Sequence, residues 1–598
     1  MKEKSIRFKN IVFILLSFLA VVSLNVSLNI NLRIIDSFDG NSVLFVIAAV
    51  FIYYLARDVE KLEDKRLKNV CVILSVLLAI MEVIGNSLDL YLDLDGIFYS
   101  FRIFLRAALK IFGYAFIFYI LFCKIFSSIA KIKVKNVAMK MFTANKKSFL
   151  LVWILIFFAW VPYLFRYYPG ITTPDSFDQI CQSLGISALT NHHPVLHTGC
   201  IAIFTNIGRI LANYNIGVFL YSLTQMLILS AIFSFCIYYM AKRNIDYRFR
   251  IIALLFYALY PVNGMYSITM WKDIPFAIVM LIFTIVLSEL IYDKEEFLKS
   301  KFKNILFAIS MILVILFRNN GLYVVLLTAP FIFIYCRKYY KKLLLIFTSV
   351  ILLYVIWKNP VFSILGVKEG SVREALSIPL QQFARIEKEH NSQLTDDEKS
   401  NIHKYLKTEE LPALYDPRLS DNVKATFNDD AFNRDKITFL KTWIKLCFKY
   451  PKTAIESFLC NSYGYWYPEY RYWVVARSTV NSDVNANKVD FKQKSLINFK
   501  SLNNFDKVID KRDIPIVSMI FSIGFAFWLV LISMAFSIYK KNYSKLLMYV
   551  PILVLWLTCL ASPVSGEYRY VYAMFVCLPL LWGINLREEI EDGENSYE

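Results

Sequence analysis

The chain has 598 residues, of which 57% are hydrophobic, 16% aromatic and only 19% charged. Soluble proteins carry about 25% charged residues, so this composition excludes an ordinary soluble domain and predicts a membrane protein. Lys and Arg outnumber Asp and Glu by 66 to 47. Because these basic residues lie in short loops between apolar runs, they fit the positive-inside bias of membrane proteins, and no nucleic acid partner is expected.

Apolar segments long enough to cross a bilayer recur along the chain. The first, within MKEKSIRFKNIVFILLSFLAVVSLNVSLNI, has the basic start of a signal peptide but lacks a small-x-small cleavage pattern, so we interpret it as a retained span. A crossing helix needs about 20 apolar residues. By that measure the sequence predicts an all-α polytopic membrane protein with about 14 transmembrane helices. They begin near residues 11, 42, 69, 105, 148, 216, 250, 274, 303, 320, 343, 514, 544 and 566.

The distribution of charge among the loops predicts the orientation. Basic loops stay in the cytoplasm, which places both termini inside and puts the acidic loop 88–96 and the segment 566–569 outside. The inner loops are then 57–68, 124–147, 242–250, 294–303, 337–342 and 540–545. We therefore expect a multi-pass protein of the cell membrane whose polar motifs lie at the extracytoplasmic ends of its helices.

These assignments divide the chain into five parts. They are a four-span N-terminal module (1–147), a transmembrane core (148–357) with a first outer loop (166–215), an extracytoplasmic, mainly helical domain (358–513), a three-span segment (514–585) and a cytoplasmic tail (586–598). Val195 to Leu211 is predicted as an amphipathic helix on the outer membrane surface, because counting it as a span would move the basic loop 242–250 outside.

Two local predictions concern the outer domain. The segment SVREALSIPLQQFARIEKEH is expected to form an amphipathic helix that is interrupted at Pro379. Cys447 and Cys460 are the cysteines that could pair in a polar region, although their spacing alone is weak support.

The motif TTPDSFDQ predicts a helix start that carries two carboxylates. Thr173 can cap a helix with Pro174 at its first position, where the missing N–H costs nothing, so Asp175 and Asp178 fall in the first turn. One interpretation is that both carboxylates only favour the helix dipole. The other is that Asp175 acts as a general base or binds a cation, because a rigid, capped turn fixes a carboxylate in space.

The motif HHPVLH adds His192, His193 and His197 to the same loop. His193 and His197 are four residues apart and would share one helix face. We predict that these histidines bind a phosphate or order the loop. A metal site formed by His193, His197 and Asp175 is a weaker alternative, so no cofactor is required and a divalent cation stays open.

Three further motifs predict a cluster of cations. Arg318 separates two apolar helices and lies close to the hydrocarbon, where a charge is costly and therefore points to function. With Lys272 and Arg569 it could clamp phosphate oxygens. For Lys272 an ordinary interfacial anchor beside Trp271 is an equally good interpretation. The supporting residues are Asp273 in MWKDIP, Asn319 in LFRNNGLY and Glu567 in SGEYRY.

Taken together, the motifs resemble the GT-C type membrane glycosyltransferases, which use polyprenyl-phosphate sugars. The resemblance covers about residues 148–585, in the order of spans, outer loop and late outer domain. More narrowly, YPGITTPDSFDQ, HHPVLHT, WKD, RNNG and EYRY resemble an uncharacterised bacterial family of multispanning proteins. The chain differs from the class in its four extra N-terminal spans and in a single Pro-Asp-Ser where many members have two adjacent acidic residues.

The resemblance implies transfer of a sugar from a polyprenyl-phosphate donor to an extracytoplasmic cell-envelope glycan or lipid. Asp175 would be the base, with its pKa raised by partial desolvation. Lys272, Arg318, Arg569 and the histidines would hold the donor phosphate. Trp466 and Tyr467 could stack on the acceptor sugar, although aromatic packing at the membrane interface explains them equally well. The alternatives are a flippase or transporter of lipid-linked glycans, and a glycan polymerase or ligase.

Overall fold

The computed structural model describes residues 2–32, 42–134, 143–470, 489, 491–497, 514 and 517–587. This part of the chain is 78% helical and contains no β-strand, which confirms the all-α prediction. The predicted cytoplasmic tail beyond residue 587 and most of 471–513 lie outside the described residues.

The N-terminal module and the core consist of long apolar helices. We number the helices of ten or more residues in chain order. They are α1 Lys2–Asn25, α2 Ser42–Glu60, α3 Lys65–Tyr91, α4 Phe101–Ala130, α5 Lys146–Arg166, α6 Pro174–Ser183, α7 Val195–Ile210, α8 Tyr214–Lys242, α9 Tyr247–Leu259, α10 Asp273–Tyr292, α11 Lys301–Phe317, α12 Gly321–Tyr335 and α13 Tyr340–Ile356. The segment predicted to lie outside the membrane (358–513), called the outer domain below, and the C-terminal part contribute further helices. They are α14 Ser377–His390, α15 Asp396–Tyr405, α16 Lys436–Lys449, α17 Pro451–Ser462, α18 Ile523–Tyr539, α19 Val550–Cys559 and α20 Tyr572–Gly583.

The structure does not show about 14 spans. Among the described residues, seven helices are long and apolar enough to cross a membrane. The pair Tyr247–Leu259 and Pro261–Ser267, bent by 52°, gives an eighth if it counts as one span. Helices also form at the other predicted positions, but several are too short. The 15 residues of α12 rise only about 22 Å at 1.5 Å per residue, whereas the hydrocarbon core is about 30 Å thick.

Helix α10 lies at the centre of the bundle. It packs against α8, α11 and α20, and 83% of its most apolar stretch is buried inside the protein. A helix that is apolar all round belongs in such a position. The helix begins at Asp273, directly after Lys272. These two residues therefore lie at the end of the central helix, surrounded by the other helices of the bundle.

Helix α7 forms within one residue of the predicted segment. One of its faces is buried and includes Val195, His197 and Ile201, whereas Ile203 and Ile210 are exposed. The exposed residues are apolar and the buried face includes the polar His197, so this burial pattern does not test the predicted amphipathic character. The placement of α7 on the membrane surface stays a prediction.

The described part of the outer domain has an apolar core of its own, built from α14 to α16 and the short helices between them. The domain contacts the bundle through α14 and α17, where Arg385 pairs with Glu456 at 3.2 Å and donates to the carbonyl oxygen of Leu92 at 2.9 Å. The backbone N–H of Ser420 also donates to the carbonyl oxygen of Pro563 at 2.8 Å. The loops after α3 and α19 therefore lie at the same end of the bundle.

Two local predictions for this domain need correction. Pro379 does not interrupt a helix, because α14 begins at Ser377 and Pro379 falls in its first turn, where a backbone N–H is not needed. Cys447 and Cys460 are both free. Their sulfur atoms face different groups, Gln382 for Cys447 and the carbonyl oxygen of Leu92 for Cys460.

Candidate functional site

The helix start predicted at Thr173 is present and is fixed from two sides. Thr173 caps α6, Pro174 takes the first position, and the backbone N–H of Thr173 donates to the hydroxyl of Ser176 at 3.1 Å. The Ser176 hydroxyl in turn donates to the carbonyl oxygen of Met270 at 2.7 Å, and the indole N–H of Trp271 donates to the Thr173 hydroxyl at 2.7 Å. The first turn of α6 is thereby held against the segment that precedes α10.

The turn between α11 and α12 joins the same cluster. Arg318 Nη1 donates to the carbonyl oxygen of Tyr570 at 2.7 Å, and Asn319 Nδ2 donates to the carbonyl oxygen of Asn191 at 3.1 Å. Gly321 is required here, because a Cβ atom at this position would run into the carbonyl oxygen of Val314. The motifs TTPDS, HHPVLH, MWKD, RNN and EYRY therefore meet at one end of the bundle, as the charge pattern predicted.

Asp175 is the carboxylate that contacts two predicted cations. Its Oδ2 accepts from Arg569 Nη1 at 2.7 Å and lies 3.7 Å from Lys272 Nζ, and its side chain is 27% exposed. Burial by itself would raise the pKa of Asp175, but the positive charges of Arg569 and Lys272 outweigh it and hold this pKa well below its ordinary value. The expectation of a raised pKa is therefore wrong for Asp175 in this structure.

His193 connects Lys272 to Asp178. Lys272 Nζ lies 2.8 Å from His193 Nδ1, and His193 Nε2 lies 3.4 Å from Asp178 Oδ2. An ammonium group can only donate, so Nδ1 accepts and the ring proton sits on Nε2, directed at Asp178. Burial and the charge of Lys272 lower the pKa of His193, and the hydrogen bond from His193 lowers the pKa of Asp178.

His197 does not reach the cluster. It is fully buried, with Nδ1 3.0 Å from Gln179 Oε1 and Nε2 2.8 Å from the hydroxyl of Tyr221. Burial lowers its pKa to about 3. Both ring nitrogens are occupied, so the predicted phosphate contact and the metal alternative are wrong for His197, which orders the loop instead.

Arg318 and Asp273 form a second, deeper ion pair. Arg318 Nη1 lies 3.2 Å from Asp273 Oδ1, and the two side chains are 10% and 0% exposed. Among the described residues neither oxygen of Asp273 has a hydrogen-bond partner. The guanidinium of Arg318 also lies over the ring of Tyr570, 4.7 Å from its centroid. Burial of this kind orients the arginine and makes the loss of either partner costly.

Glu567 is the remaining carboxylate. It is buried, and its Oε1 lies 3.5 Å from Arg569 Nε. Burial raises the pKa of Glu567 to about 7, although Arg569 opposes the shift. Its neighbour Gly566 has a φ of +99°, a conformation that favours glycine and turns the chain so that Glu567 and Arg569 both face the cluster.

The positive charges of the predicted clamp are therefore balanced by carboxylates within the protein. Each of its three cations has a carboxylate partner: Arg569 and Lys272 share Asp175, and Arg318 pairs with Asp273. An incoming phosphate would have to exchange with a carboxylate. Asp175 is the accessible one, since the side chain of Asp273 is fully buried.

Two aromatic residues of the site, Tyr570 and Trp271, were not predicted to contact its arginines. The ring of Tyr570 lies between both arginines, with its centroid 4.7 Å from the guanidinium of Arg318 and 5.3 Å from that of Arg569. Trp271 supports Arg569 at 4.8 Å and is buried, so it is not the headgroup anchor considered above. The alternation of basic and aromatic residues in EYRY was the available signal, because aromatic faces stack on guanidinium groups.

Two predicted roles do not fit their positions. Trp466 and Tyr467 are only 3% and 1% exposed. The indole N–H of Trp528 donates to the carbonyl oxygen of Trp466 at 2.9 Å, and the ring of Tyr467 occupies the space beside Gly85 of α3. They pack the outer domain onto the bundle and offer no face to an acceptor sugar.

His192 is the exposed member of the histidine loop, and its ring lies against that of His193 with 4.6 Å between centroids. One side of the imidazole is packed against His193, and this partial desolvation, together with the charge of Lys272, lowers the pKa of His192. In the part of the chain that the structure describes, no group of three or more His, Cys, Asp or Glu side chains is placed to hold a metal ion. A divalent cation stays an untested alternative.

Fold and site together define a helical, multi-pass membrane protein with a buried cluster of charges at one end of its helices. Residues 183–596 match the family of unknown function DUF6020. The chain belongs to that family. The match includes the histidine loop, Lys272, Arg318 and Arg569 and begins after Asp175. Searches of curated proteins and of solved structures gave no match.

The neutral state of His193 makes a pH-dependent contribution to stability. Because its pKa is lowered from 6.5 on folding, this contribution is full above about pH 6.5 and is lost as the pH falls from there through the folded pKa, with a slope of at most about 1.4 kcal/mol per pH unit. The thermal unfolding midpoint in detergent should therefore fall more on acidification in the wild type than in His193→Gln, which cannot titrate.

Lys272→Met provides the control for this assignment. Removing the ammonium group takes away the repulsion that helps to lower the pKa of His193, so the loss of stability should be smaller and complete at a higher pH. Parallel pH curves for the wild type and His193→Gln would contradict the neutral tautomer assigned above.

Proposed function

We propose that the protein is a membrane glycosyltransferase of the GT-C type, which moves a sugar from a polyprenyl-phosphate donor to an extracytoplasmic glycan or lipid of the bacterial cell envelope. The observation that carries the proposal is the contact of one accessible carboxylate, Asp175, with Arg569 and Lys272. A carboxylate suited to act as a base thus lies 2.7 and 3.7 Å from two cations suited to bind phosphate, and this supports the proposal. The proposal includes the predicted total of about 14 transmembrane helices in the whole chain, with the site on the outer side of the membrane.

The donor phosphate enters by exchange. Its oxygens take the place of Asp175 on Arg569 and Lys272, with Arg569 suited to bidentate binding. Arg318 lies close by on the shared ring of Tyr570. Aromatic and aliphatic surroundings keep water away and strengthen these contacts. A lipid-linked donor suits a cluster at the ends of apolar helices, because its tail can stay in the bilayer.

Exchange also supplies the base. Once the phosphate shares the positive charges that hold the pKa of Asp175 low, that pKa rises and the freed carboxylate can accept a proton. The acceptor hydroxyl oxygen attacks the anomeric carbon and gives its proton to Asp175. The bond from that carbon to the phosphate oxygen breaks, and its electron pair leaves with the polyprenyl phosphate, whose additional charge is stabilised by the same cations.

The acceptor is expected to approach between the histidine loop and the start of the outer domain. The backbone N–H of Lys368 donates to the carbonyl oxygen of Leu189, and that of Asn191 donates to the carbonyl oxygen of Lys368, both at 2.9 Å. These contacts hold Lys368 beside the histidine loop, and Gly370 lies against the backbone of His192. We expect the segment around Lys368, and not Trp466 and Tyr467, to determine acceptor specificity.

The test is a deletion strain whose envelope glycans are analysed by mass spectrometry, together with membranes supplied with labelled polyprenyl-phosphate sugars. A missing sugar substituent and loss of donor turnover would support the proposal and identify both substrates. If the protein were a flippase, its deletion would instead leave the lipid-linked donor intact and confined to the inner leaflet. Unchanged glycans with unchanged donor turnover would overturn the proposal.

A further inference from the structure

Helix α16 of the outer domain, KITFLKTWIKLCFK, is apolar on two opposite faces. One face is buried in the domain core through Phe439, Thr442 and Leu446. The other face is exposed, with Ile437 at 67% and Phe448 at 83%. The exposed apolar residues follow helical spacing and form one stripe: Ile437, Leu440, Ile444 and Phe448. A soluble domain rarely leaves such a row uncovered, so the stripe marks an interaction surface.

The stripe is bordered by basic residues. Four lysines of α16 are exposed: Lys436, Lys441, Lys445 and Lys449. Lys445 and Lys449 share the single carboxylate of Glu398, at 3.0 and 2.8 Å. The surface therefore keeps a net positive charge around an apolar centre, which is the composition of helices that lie in the interface of an anionic bilayer.

The position of α16 relative to the bundle fits the same partner. Helix α17 follows it directly at Pro451, and Lys452 Nζ on α17 pairs with Asp95 Oδ1 at 2.9 Å. Asp95 lies just before α4, one of the helices long and apolar enough to span a membrane. Large aromatic residues are exposed at that end of α4: Phe98, Tyr99 and Phe101. Aromatic residues of this kind mark the membrane–water interface, so the C-terminal end of α16 lies next to it.

We propose that α16 docks the outer domain onto the bilayer surface, with its apolar stripe in the headgroup region and its lysines on anionic phospholipids. This proposal does not depend on the proposed transfer reaction. It rests on the exposed stripe, its basic border and its continuity with the aromatic end of α4.

The test is electron paramagnetic resonance of a spin label on the full-length protein in nanodiscs of phosphatidylcholine and phosphatidylglycerol. The label is placed by Ile444→Cys, in a background where the half-buried Cys200 and Cys447 are replaced by Ser. A matched label at Asp397→Cys, exposed on α15, reports on a charged surface position of the same domain outside the apolar stripe. Accessibility is measured to oxygen, which concentrates in lipid, and to a water-soluble nickel complex.

At Ile444→Cys we expect the ratio of oxygen to nickel accessibility to be several-fold higher than at Asp397→Cys, and to fall when phosphatidylglycerol is omitted. Equal ratios at the two positions would overturn the proposal. Low accessibility to both reagents would also overturn it, because a second copy or another protein would then cover the stripe. A ratio that does not change without phosphatidylglycerol would overturn the assignment of the lysines to anionic lipid.

Discussion

Replacing Asp175 by asparagine should reduce sugar transfer by a factor of about 10²–10⁴, the usual contribution of a positioned general base. Asparagine keeps the size of the side chain and can still accept a hydrogen bond from Arg569, but it cannot take the proton of the acceptor hydroxyl. Donor binding should persist or improve, because the phosphate no longer competes with a carboxylate for Arg569 and Lys272. Transfer and binding are measured with labelled polyprenyl-phosphate sugar in membranes.

Asp293→Asn is the matched control for Asp175→Asn. Asp293 Oδ2 lies 2.6 Å from Arg243 Nη2 and the Asp293 side chain is 36% exposed, so this variant also removes a carboxylate from an arginine pair of similar exposure. Asp293 lies directly before the predicted inner loop 294–303, away from the cluster, and Asp293→Asn should keep transfer close to the wild-type rate. Full transfer by a folded Asp175→Asn protein would exclude Asp175 as the base.

The charge pattern of the loops predicts which helix ends lie on the same side of the membrane, and therefore which motifs can meet in the site. Five motifs, scattered from Thr173 to Arg569, were expected at one end of the bundle, and their hydrogen bonds and ion pairs bring them together. The start of α6 was also predictable, because capping depends on residues only a few positions apart.

The pairing inside the cluster could not be predicted. Asp175 and Arg569 are 394 positions apart, and nothing local decides whether Arg569 meets Asp175, Glu567 or a ligand. The low pKa of Asp175 is a consequence of that packing, so the sequence suggested desolvation alone and the wrong direction. The predicted phosphate or metal contact of His197 was wrong for a similar reason. The spacing of His197 from His193 does not indicate that Gln179 and Tyr221 occupy its two ring nitrogens.

Aromatic composition was equally ambiguous for the run that contains Trp466 and Tyr467. The same residue types, Trp and Tyr, bind sugars when exposed and pack interfaces when buried, and both situations are common near a membrane. The structure buries these two rings and leaves exposed a different apolar row, on α16. In that row the helical spacing of Ile437, Leu440, Ile444 and Phe448 was present in the sequence. The opposite face was apolar too, which concealed the pattern.

Replacing Asp273 by asparagine should destabilise the folded protein by about 3–5 kcal/mol, because it leaves the Arg318 charge buried without its counter-ion. The two side chains are 0% and 10% exposed, so water cannot compensate. The free energy of unfolding is measured by titrating mixed micelles with sodium dodecyl sulfate. Glu295→Gln breaks the exposed pair with Lys299, whose side chains are 72% and 74% exposed, and should cost at most about 1 kcal/mol.

A double variant separates stability from function at this pair. Replacing both partners by apolar residues, Asp273→Leu with Arg318→Met, removes the uncompensated charge and should recover most of the stability lost in Asp273→Asn, since well-packed apolar pairs often replace buried ion pairs without loss. Transfer should stay low in the double variant, because Arg318 is then absent from the phosphate site. A double variant that is stable and fully active would show that the pair is structural only, and an Asp273→Asn protein as stable as Glu295→Gln would contradict the burial of the pair itself.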